Sequence, residues 1–507
     1  MSKKKVNKVA IIFIFKVIVA EMSQYKDCAC FESPKNRILK ISLFNFRAVK
    51  KTLILLISVS IFSSVIVDAQ IDTLLNKKFA KITNSALRDT FGYNLLRDLC
   101  RLGPRLSGSE NLINAENFIL KKLAGMGLDT LYTQTFTTNN WKRGSKAVLK
   151  SSDGNEFTIS ALGGSIGTNG VIRAGLIEMS DFDELEKRKD EVKGKIVFFN
   201  FPFPQEVYES FESYGPAVNY RVNGALRAAK YGAVGVLIRS VASNFDDVPH
   251  TGTLRYLDTI PKIPGAALGV ESAVRLNSLL ASNAGSGKEL IFDFEMDCRS
   301  EDSAPVRNII AEIRGGEYPD DIIVVGAHID SWDAGEGAHD DGAGVVQSVE
   351  VLHLIKKAGF KPKRTIRMVL FANEENGLVG ARGYGKFAAE EAANDLAAIE
   401  SDRGGFTPRG FSVDAAPEVI SKMEGWLPYF TRTGLEWFRK GGSGADISQI
   451  KNAKALIGYV PDSQRYFTYH HSANDVFTGV DHRELELGSA AITILTMLIS
   501  EFGLQEN

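Results

Sequence analysis

The 507-residue sequence has no excess of either charge and no raised share of hydrophobic residues, and each absence excludes a class of protein. Lysine and arginine number 60 against 61 aspartate and glutamate residues, which excludes a uniformly basic nucleic-acid-binding protein. Hydrophobic residues make up 44% of the chain, an ordinary share that excludes a polytopic membrane protein and a disordered one. No internal repeat or low-complexity tract is evident. A globular chain of about two to four domains remains, at about 100–200 residues per domain.

The near-neutral net charge is the sum of two parts of the chain that carry opposite charges. Residues 1–69 carry ten lysines and two arginines against four acidic residues, a net charge of +8, and the remainder therefore carries −9. Within the basic part, Lys50 and Lys51 precede an apolar run, Leu53–Val67. This pattern is typical of a secretory signal peptide, and we predict cleavage after Ala69 and a secreted or periplasmic protein without a stable membrane span. A single membrane anchor is the alternative, although the run is shorter than the roughly 20 residues of a span.

Because this signal begins near residue 48, we interpret residues 1–47 as an upstream extension that contributes nothing to the fold.

Cysteine is scarce. Of four cysteines, only Cys100 and Cys298 follow the predicted cleavage point. In an oxidising compartment the two could form one disulfide bond, and two buried free thiols are an equal alternative.

Hydrophobic patterning divides the rest of the chain into three parts, at 70–136, 137–297 and 298–507. The first part is predicted to be helical as far as about residue 136, most clearly at Asn114–Met126. The second part has short β-like runs with turn-rich gaps and few candidate catalytic groups, so we interpret it as an inserted packing domain. Its clearest elements are predicted strands at 195–199 and 235–238 and a helix at 223–231.

Strands alternate with helices in the third part. We predict strands at 322–326, 365–372 and 396–400, and helices at 345–357 and 379–393. This alternation predicts an α/β fold with a mostly parallel mixed sheet and helices on both faces. Ligands of such sheets bind beyond the carboxyl ends of the strands.

Acidic and imidazole side chains follow each of these predicted strands and recur near the end of the chain. They are His328, Asp330, Asp340, Asp341, Glu374, Glu375, Asp402, His470 and His471. Each motif alone is weak evidence of a functional site, because such residues more often belong to solvated turns or cap helices. Their convergence on one sheet edge favours a shared functional site.

The residue types in this set indicate a metal. Imidazole and carboxylate ligands without thiolates suit zinc in a catalytic site, with manganese or cobalt as substitutes. Two histidines and three acidic residues exceed what one tetrahedral ion with an open position needs. They suit two ions about 3.5–4 Å apart, bridged by a carboxylate and a water. Of the adjacent Glu374 and Glu375, one can bind metal while the other takes a proton from that water.

The motifs resemble the zinc-dependent exopeptidase family of secreted aminopeptidases. The family pattern is a His-x-Asp strand end, an Asp-Asp-Gly helix start, a Glu-Glu loop, a later Asp and a final His. Residues 326–333 and 337–342 are similar in particular to the carboxypeptidase Q subgroup. The resemblance covers residues 85–505 and implies the zinc exopeptidase fold, with a β-rich protease-associated domain inserted at 137–297. It also implies a homodimer.

The resemblance further implies two zinc ions and a role for each site residue. One zinc would be bound by His328 and Asp402, the other by Glu375 and His471, with Asp340 bridging both. Glu374 would be the general base, Asp330 would accept the outer N–H of His328, and Asp475 would do the same for His471. His339 would lie outside the ligand set. The glycine-rich run at 440–447 would be either a substrate-side loop or a simple turn.

These expectations lead to a secreted dinuclear zinc exopeptidase that hydrolyses dipeptides or short peptides. Glutaminyl cyclisation with a single zinc is one alternative, and a catalytically silent receptor or binding protein is another. The complete set of five ligands argues against both. The sequence does not decide between aminopeptidase and carboxypeptidase or dipeptidase preference.

Overall fold

Two eight-stranded sheets organise the part of the chain that this computed structural model describes, residues 73–285, 288–391 and 393–505. The predicted extension and signal peptide, residues 1–69, lie outside the described residues. The chain divides into two units, and both sheets belong to the larger one, Lys78–Leu504. Of the smaller unit only 73–77, which are helical, and Gln505 are described.

The elements are as follows. In chain order the strands are β1 (Thr130–Lys142), β2 (Ala147–Ser151), β3 (Glu156–Phe157), β4 (Ile159–Ala161), β5 (Ile172–Met179), β6 (Ile196–Phe199), β7 (Gly235–Arg239), β8 (Gly265–Leu268), β9 (Ile291–Met296), β10 (Arg299–Ile313), β11 (Tyr318–His328), β12 (Arg364–Phe371), β13 (Asn394–Glu400), β14 (Pro408–Ala415), β15 (Trp437–Lys440) and β16 (Ala455–Pro461). The α-helices are α1 (73–88), α2 (Phe91–Cys100), α3 (Glu110–Ala124), α4 (Phe182–Lys187), α5 (Phe211–Ala229), α6 (Val270–Asn283), α7 (Ala343–Ala358), α8 (Val379–Glu390), α9 (Pro417–Glu424), α10 (Tyr466–Tyr469) and α11 (His482–Phe502).

The first sheet has the strand order β1-β10-β12-β11-β13-β16-β14-β15. Its central strands β12, β11, β13 and β16 are parallel, whereas β10 and β14 pair antiparallel to the strands on their inner side. Helix α8 packs against Ile322 and Val324 of β11, and α7 and α11 contact β11 and β12. Successive side chains of a strand point to opposite faces, so helices on both sides bury β11 from Ile322 to His328. The predicted mixed α/β sheet is confirmed.

The predicted strands and helices of this sheet all form. The three predicted strands are β11, β12 and β13, and the two predicted helices are α7 and α8, with ends shifted by a few residues. Long apolar runs and helical periodicity are strong local signals, and here they agree with the tertiary packing.

The second sheet is built entirely from strands between residues 147 and 296, in the order β3-β2-β9-β5-β6-β7-β8-β4. We call residues 147–296 the second-sheet segment. Strands β5 to β8 are parallel and the outer ones antiparallel. Phe198 and Phe199 of β6 belong to different hydrophobic clusters, because consecutive side chains face opposite sides of the sheet. The strands predicted here are β6 and β7, and the predicted helix is the second half of α5.

One prediction is wrong: residues 130–136 are not helical but begin strand β1, which pairs antiparallel with β10. Thr130, Thr133 and Thr135 are β-branched and favour extended backbone. The deciding partner, β10, lies about 170 residues away in sequence, so the local pattern could not reveal the pairing. Strand β1 also runs across the predicted boundary between residues 136 and 137.

The two cysteines of the described residues are free thiols, and both are buried. Cys100 ends α2, and burial raises the pKa of its thiol to about 12. Of the two alternatives for this pair, buried free thiols are therefore the one that the structure shows.

Helix α11 is long and apolar enough to cross a membrane, but it is mostly buried inside the protein. It packs along α7 in the interior. It is therefore a core helix of this fold.

Two carboxyl groups share the interface between these helices. Glu350 of α7 and Glu486 of α11 are both fully buried, and both oxygens of Glu350 and Oε2 of Glu486 have no hydrogen-bond partner among the described residues. Two buried carboxyl groups that act on each other electrostatically disfavour a state in which both are ionised. The backbone N–H of Tyr93 donates to Oε1 of Glu486 at 3.2 Å. Burial raises the pKa of both carboxyl groups, that of Glu486 to about 11.

We predict that Glu486→Gln stabilises the protein and that the gain grows with pH. The folded chain binds more protons at this site than the unfolded chain between about pH 4.5 and about pH 11, so stability falls as pH rises through that interval. The amide removes the negative charge that acts on Glu350 and offers it a hydrogen-bond donor without needing a proton. Thermal unfolding should show a melting temperature raised by a few degrees at about pH 9 and little changed at about pH 5.

The matched control is Glu424→Gln at the exposed end of α9. It should leave the melting temperature unchanged at both pH values. A Glu486→Gln protein that is less stable than wild type at high pH would contradict the assignment.

Candidate metal centre

The predicted site residues lie at the carboxyl ends of the central parallel strands. β11 ends at His328, β12 is followed by Glu374 and Glu375, and β13 is followed by Asp402. Parallel strands place their carboxyl ends along one sheet edge, which is why residues far apart in sequence meet here. The loop before α7 adds Asp340.

The carboxylate of Asp340 lies at the centre of the site. Its Oδ1 is 3.3 Å from Nε2 of His328, and its Oδ2 is 3.3 Å from Nε2 of His471. Asp402 Oδ1 lies 3.4 Å from the same nitrogen of His328, and Glu375 Oε2 lies 3.0 Å from that of His471. The five side chains thus form two groups, each with one imidazole and one further carboxylate, that share Asp340.

The chemistry of these donors fits bound cations. Oδ2 of Asp340 and Oε1 of Glu375 are buried and have no hydrogen-bond donor among the described residues. Burying carboxylates without partners is costly, and a divalent cation between them would satisfy both. Three overlapping groups have ligand atoms that all lie within 4.8 Å of one another: His328, Asp340 and Glu375; Asp340, His470 and His471; and His328, Asp341 and Asp402. Imidazole with carboxylate is a zinc-type donor set.

The two imidazoles differ in their electrostatic surroundings. Burial lowers the pKa of His328, but the carboxylates of Asp402 and Asp340 outweigh burial and raise that pKa well above its usual range. Burial lowers the pKa of His471 to about 3 in spite of Asp340 nearby. A neutral imidazole is the form that binds a metal, and the same carboxylates that hold a proton on His328 would hold a cation in its place.

Glu374 has a different position from Glu375. Its backbone N–H donates to Oδ1 of Asp330 at 3.0 Å. Its carboxylate forms no hydrogen bond or ion pair with the described residues. Burial raises the pKa of Glu374 to about 8, and the neighbouring carboxylates of Asp402 and Asp330 add to the rise. A carboxyl group without a partner therefore lies beside the cluster, and its raised pKa makes it a stronger base when it is ionised.

The predicted contact between the Asp330 carboxylate and His328 is not formed. Nδ1 of His328 lies 3.1 Å from the backbone carbonyl oxygen of Asp330 and 3.8 Å from its carboxylate. The carboxylate instead accepts from the Glu374 N–H and, at 2.9 Å, from the hydroxyl of Ser107. Asp330 therefore orients both residues, His328 through its carbonyl group and Glu374 through its side chain.

The role predicted for Asp475 is also wrong. Its carboxylate accepts the backbone N–H groups of His339 at 2.7 Å and of Asp340 at 3.1 Å. Asp475 therefore holds the loop that carries the bridging carboxylate, and not His471. Spacing along the chain could not reveal this, because the partner loop lies more than 130 residues away.

The neighbouring Asp341 caps the following helix. It accepts the backbone N–H of Gly344 at 3.0 Å and that of His328 at 3.1 Å. The peptide bond between Asp340 and Asp341 is cis. The simple helix-cap interpretation thus holds for Asp341, while Asp340 faces the cluster.

His471 lies closer to Asp340 than His470 does, and its assignment as the metal ligand stays a prediction. Nε2 of His470 is 3.9 Å from Asp340, and its ring stacks on that of His471 with centroids 3.6 Å apart. His339 lies outside the cluster, as predicted: Gly405 donates to its Nδ1, and its ring stacks on Phe406.

Sequence reasoning missed contacts from the second-sheet segment. The hydroxyl of Thr253 donates to the backbone carbonyl of Glu375 at 2.8 Å, and the N–H of Thr251 donates to that of His471 at 2.8 Å. Arg221 lies beside the His471 ring. No motif marks these residues, because two of the contacts use backbone atoms and all span more than 100 positions.

The glycine-rich run at 440–447 packs against Glu400, the last residue of β13. Gly444 lies so close to Glu400 that a Cβ would sit 2.3 Å from its carboxyl carbon, and the N–H of Ile447 donates to the Glu400 carboxylate at 2.7 Å. A cleft of about 630 Å³ opens beside it and is lined by Arg403, which follows Asp402 directly.

Comparison with known proteins identifies relatives of this arrangement. The family model described as Peptidase family M28 matches residues 308–493. Carboxypeptidase Q from Bos taurus is 35% identical over 403 residues, 79% of this chain and 83% of that protein, and the Xenopus laevis protein of the same name is 37% identical with the same coverage.

Solved structures share the fold. The crystal structure of a peptidase M28 precursor from Shewanella amazonensis has a TM-score of 0.80 and 29% identity, covering 86% of this chain and 99% of that one. The zinc aminopeptidase BSAP from Bacillus subtilis has a TM-score of 0.58 and 18% identity, covering 80% and 93%. The resemblance seen in the sequence motifs is confirmed: the chain belongs to peptidase family M28 and is a metallopeptidase.

Proposed function

We propose that this protein is an exported exopeptidase that holds two zinc ions and hydrolyses dipeptides or short peptides. The observation that carries the proposal is the Asp340 carboxylate, each of whose oxygens lies 3.3 Å from a different imidazole. A carboxylate shared between two imidazole–carboxylate pairs is the arrangement that a dinuclear site needs. Export rests on the predicted signal peptide ending near Ala69, outside the described residues.

In this proposal the ligands divide into two pairs around the bridge. His328 and Asp402 would hold one ion, Glu375 and His471 would hold the other, and Asp340 would contact both. When bound, the zinc ions would lower the pKa of a water molecule and polarise the peptide carbonyl group. Both imidazoles would offer Nε2, since the Nδ1 of each lies near a backbone carbonyl oxygen.

Glu374 acts as the general base. Its carboxylate is the one member of the Glu374–Glu375 pair that stays outside the ligand groups, and its backbone is fixed by Asp330. It takes a proton from the attacking water and passes that proton to the leaving amine. Asp330 aligns the base and His328 at once, so it is a positioning residue.

The substrate approaches from the cleft beside the sheet edge. The cleft is lined by Arg403, the residue after Asp402 in sequence, and by the loop at 442–444. A cleft of about 630 Å³ accommodates a short peptide rather than a folded chain. The name of the relatives, carboxypeptidase Q, supports cleavage at a free carboxyl terminus. The second-sheet segment corresponds in this proposal to an inserted protease-associated domain, and a homodimer stays a prediction.

We predict that Glu374→Gln lowers kcat for dipeptide hydrolysis by about 100-fold or more. The amide cannot accept the proton, whereas the ligand groups are untouched. Zinc content, measured by elemental analysis of the same sample, should equal that of wild type. Glu390→Gln, on the surface of α8, is the matched control and should keep full activity. Near-normal turnover by Glu374→Gln would show that another group is the base.

We predict that the purified protein contains two zinc ions per chain and that a strong chelator abolishes hydrolysis reversibly. Ligand carboxylates and imidazoles must be deprotonated to bind, so activity should also fall in acid. One tightly bound ion would contradict the dinuclear proposal and favour a cyclase. Two ions without turnover of any dipeptide would favour a binding protein.

A set of matched substrates tests the specificity. We expect hydrolysis of a free dipeptide and of its N-blocked version, and little hydrolysis of its C-amidated version. Comparison of kcat/KM for the three substrates is the measurement. Activity that survives amidation and is lost on N-blocking would instead identify an aminopeptidase.

A further inference from the structure

The second-sheet segment contacts the two proposed metal positions unequally. Its two hydrogen bonds described above reach His471 and Glu375, and Arg221 lies beside the His471 ring. His328, in contrast, is held by the first sheet and its loops, through the Asp341 carboxylate at its N–H and the Asp330 carbonyl at its ring. One metal position therefore has its outer contacts within the main sheet, and the other depends on a different part of the fold.

The backbone of His471 is held in an uncommon conformation by this segment. His471 has φ 60°, in the left-handed region that residues with a side chain rarely adopt. The Thr251 N–H donates to its carbonyl oxygen at 2.8 Å, and the Thr251 carbonyl oxygen lies 3.4 Å from its Nδ1. Thr251 thus constrains both the backbone and the ring. When Nε2 faces a cation, Nδ1 carries the hydrogen and this carbonyl group is its acceptor.

Arg221 supports the acceptor of that ring hydrogen. A guanidinium group only donates, so its hydrogen-bond partner beside a protonated Nδ1 is the Thr251 carbonyl oxygen and not the ring nitrogen. Only 5% of the Arg221 surface is exposed, and its Nη1 lies 3.2 Å from Nδ1 of His471 and 3.5 Å from the Thr251 carbonyl oxygen. Its Nη2 donates to the Tyr214 hydroxyl at 2.9 Å, which fixes the plane of the guanidinium group. No acidic side chain among the described residues forms an ion pair with it, so this arginine is not part of an ordinary salt bridge.

Gly252 provides the space that Arg221 needs. Its φ is 127°, and a Cβ there would lie 2.5 Å from Cζ and 2.6 Å from Nη1 of Arg221. Only glycine permits this approach of the backbone to the guanidinium group.

Glu375, the other proposed ligand of the metal position that includes His471, is held by the same loop. The Thr253 hydroxyl donates to the Glu375 carbonyl oxygen at 2.8 Å. Residues 251–253 therefore contact His471 and Glu375 from one short loop, whose position is set by the second sheet.

We propose that Arg221 and the loop at 251–253 position His471 and Glu375, so that the second-sheet segment controls occupancy of one of the two metal positions. This inference rests on the proposed dinuclear site. Groups that orient metal ligands typically change metal affinity by about 10–100-fold when they are removed. Because these contacts reach one position only, the two ions should respond differently to their loss.

The test measures zinc affinity in the full-length protein with Arg221→Met and, separately, Thr253→Val. Competition with a chromophoric chelator gives the affinity for each ion, and elemental analysis gives the number bound. We expect both variants to bind one zinc as wild type does and the other about 10–100-fold more weakly. Cobalt-substituted samples should lose absorption from one site only.

Arg227→Met is the matched control, since Arg227 lies on the same helix α5, half exposed and away from His471. It should bind both ions normally. Gly252→Ala keeps the guanidinium group but displaces it, so it should repeat the loss at one site if Arg221→Met fails to fold. Melting temperatures of the zinc-free proteins separate a general loss of stability from a local one.

The outcomes distinguish the two proposals. Two ions bound with wild-type affinity by both Arg221→Met and Thr253→Val would overturn the positioning role and leave the dinuclear site intact. Equal weakening of both ions would also overturn it. A wild-type protein that binds a single ion would overturn the proposed dinuclear function, and with it the control of one position among two.

Discussion

The crowding of carboxylates around two imidazoles at one sheet edge is the constraint on which the rest of the structure depends. Asp340 lies between His328 and His471, and Asp402 and Glu375 approach the same two rings from outside. Two of their oxygens, Oδ2 of Asp340 and Oε1 of Glu375, have no donor among the described residues. Buried negative charge at this density is unfavourable unless cations compensate it. The surrounding backbone therefore has to hold the side chains in place against their mutual repulsion.

Hydrogen bonds to the backbone hold these side chains in place. Asp475 binds two successive backbone N–H groups of the loop that carries Asp340, and Asp330 binds the backbone of Glu374 while its own carbonyl group faces His328. In both cases a carboxylate that could have been a ligand instead fixes a ligand or the base. The number of acidic residues near the site thus exceeds the number that metal ions need, and the excess has a positional role.

The second sheet completes the site from the other side. Thr251, Thr253 and Arg221 reach the His471 and Glu375 pair, so residues that the sequence places in a packing segment lie against the proposed chemistry. The active region is therefore composite. The parallel strands and their loops hold the His328 and Asp402 pair. The His471 and Glu375 pair also depends on the fold and position of the second-sheet segment.

The sequence by itself determined the α/β alternation, the strands β11 to β13 and the set of side chains at their ends. These follow from local apolar patterning and from motifs with fixed spacing, which require no knowledge of distant partners. Residues 130–136 were assigned wrongly because a strand at the edge of a sheet is stabilised by its neighbour, here β10, more than by its own composition. The tertiary structure alone decided the partners of Asp330 and Asp475, the free state of Cys100 and Cys298 and the part played by Arg221. Each of these depends on distances across the fold, and hydrogen bonds to backbone atoms leave no trace in the identity of the residues that supply them.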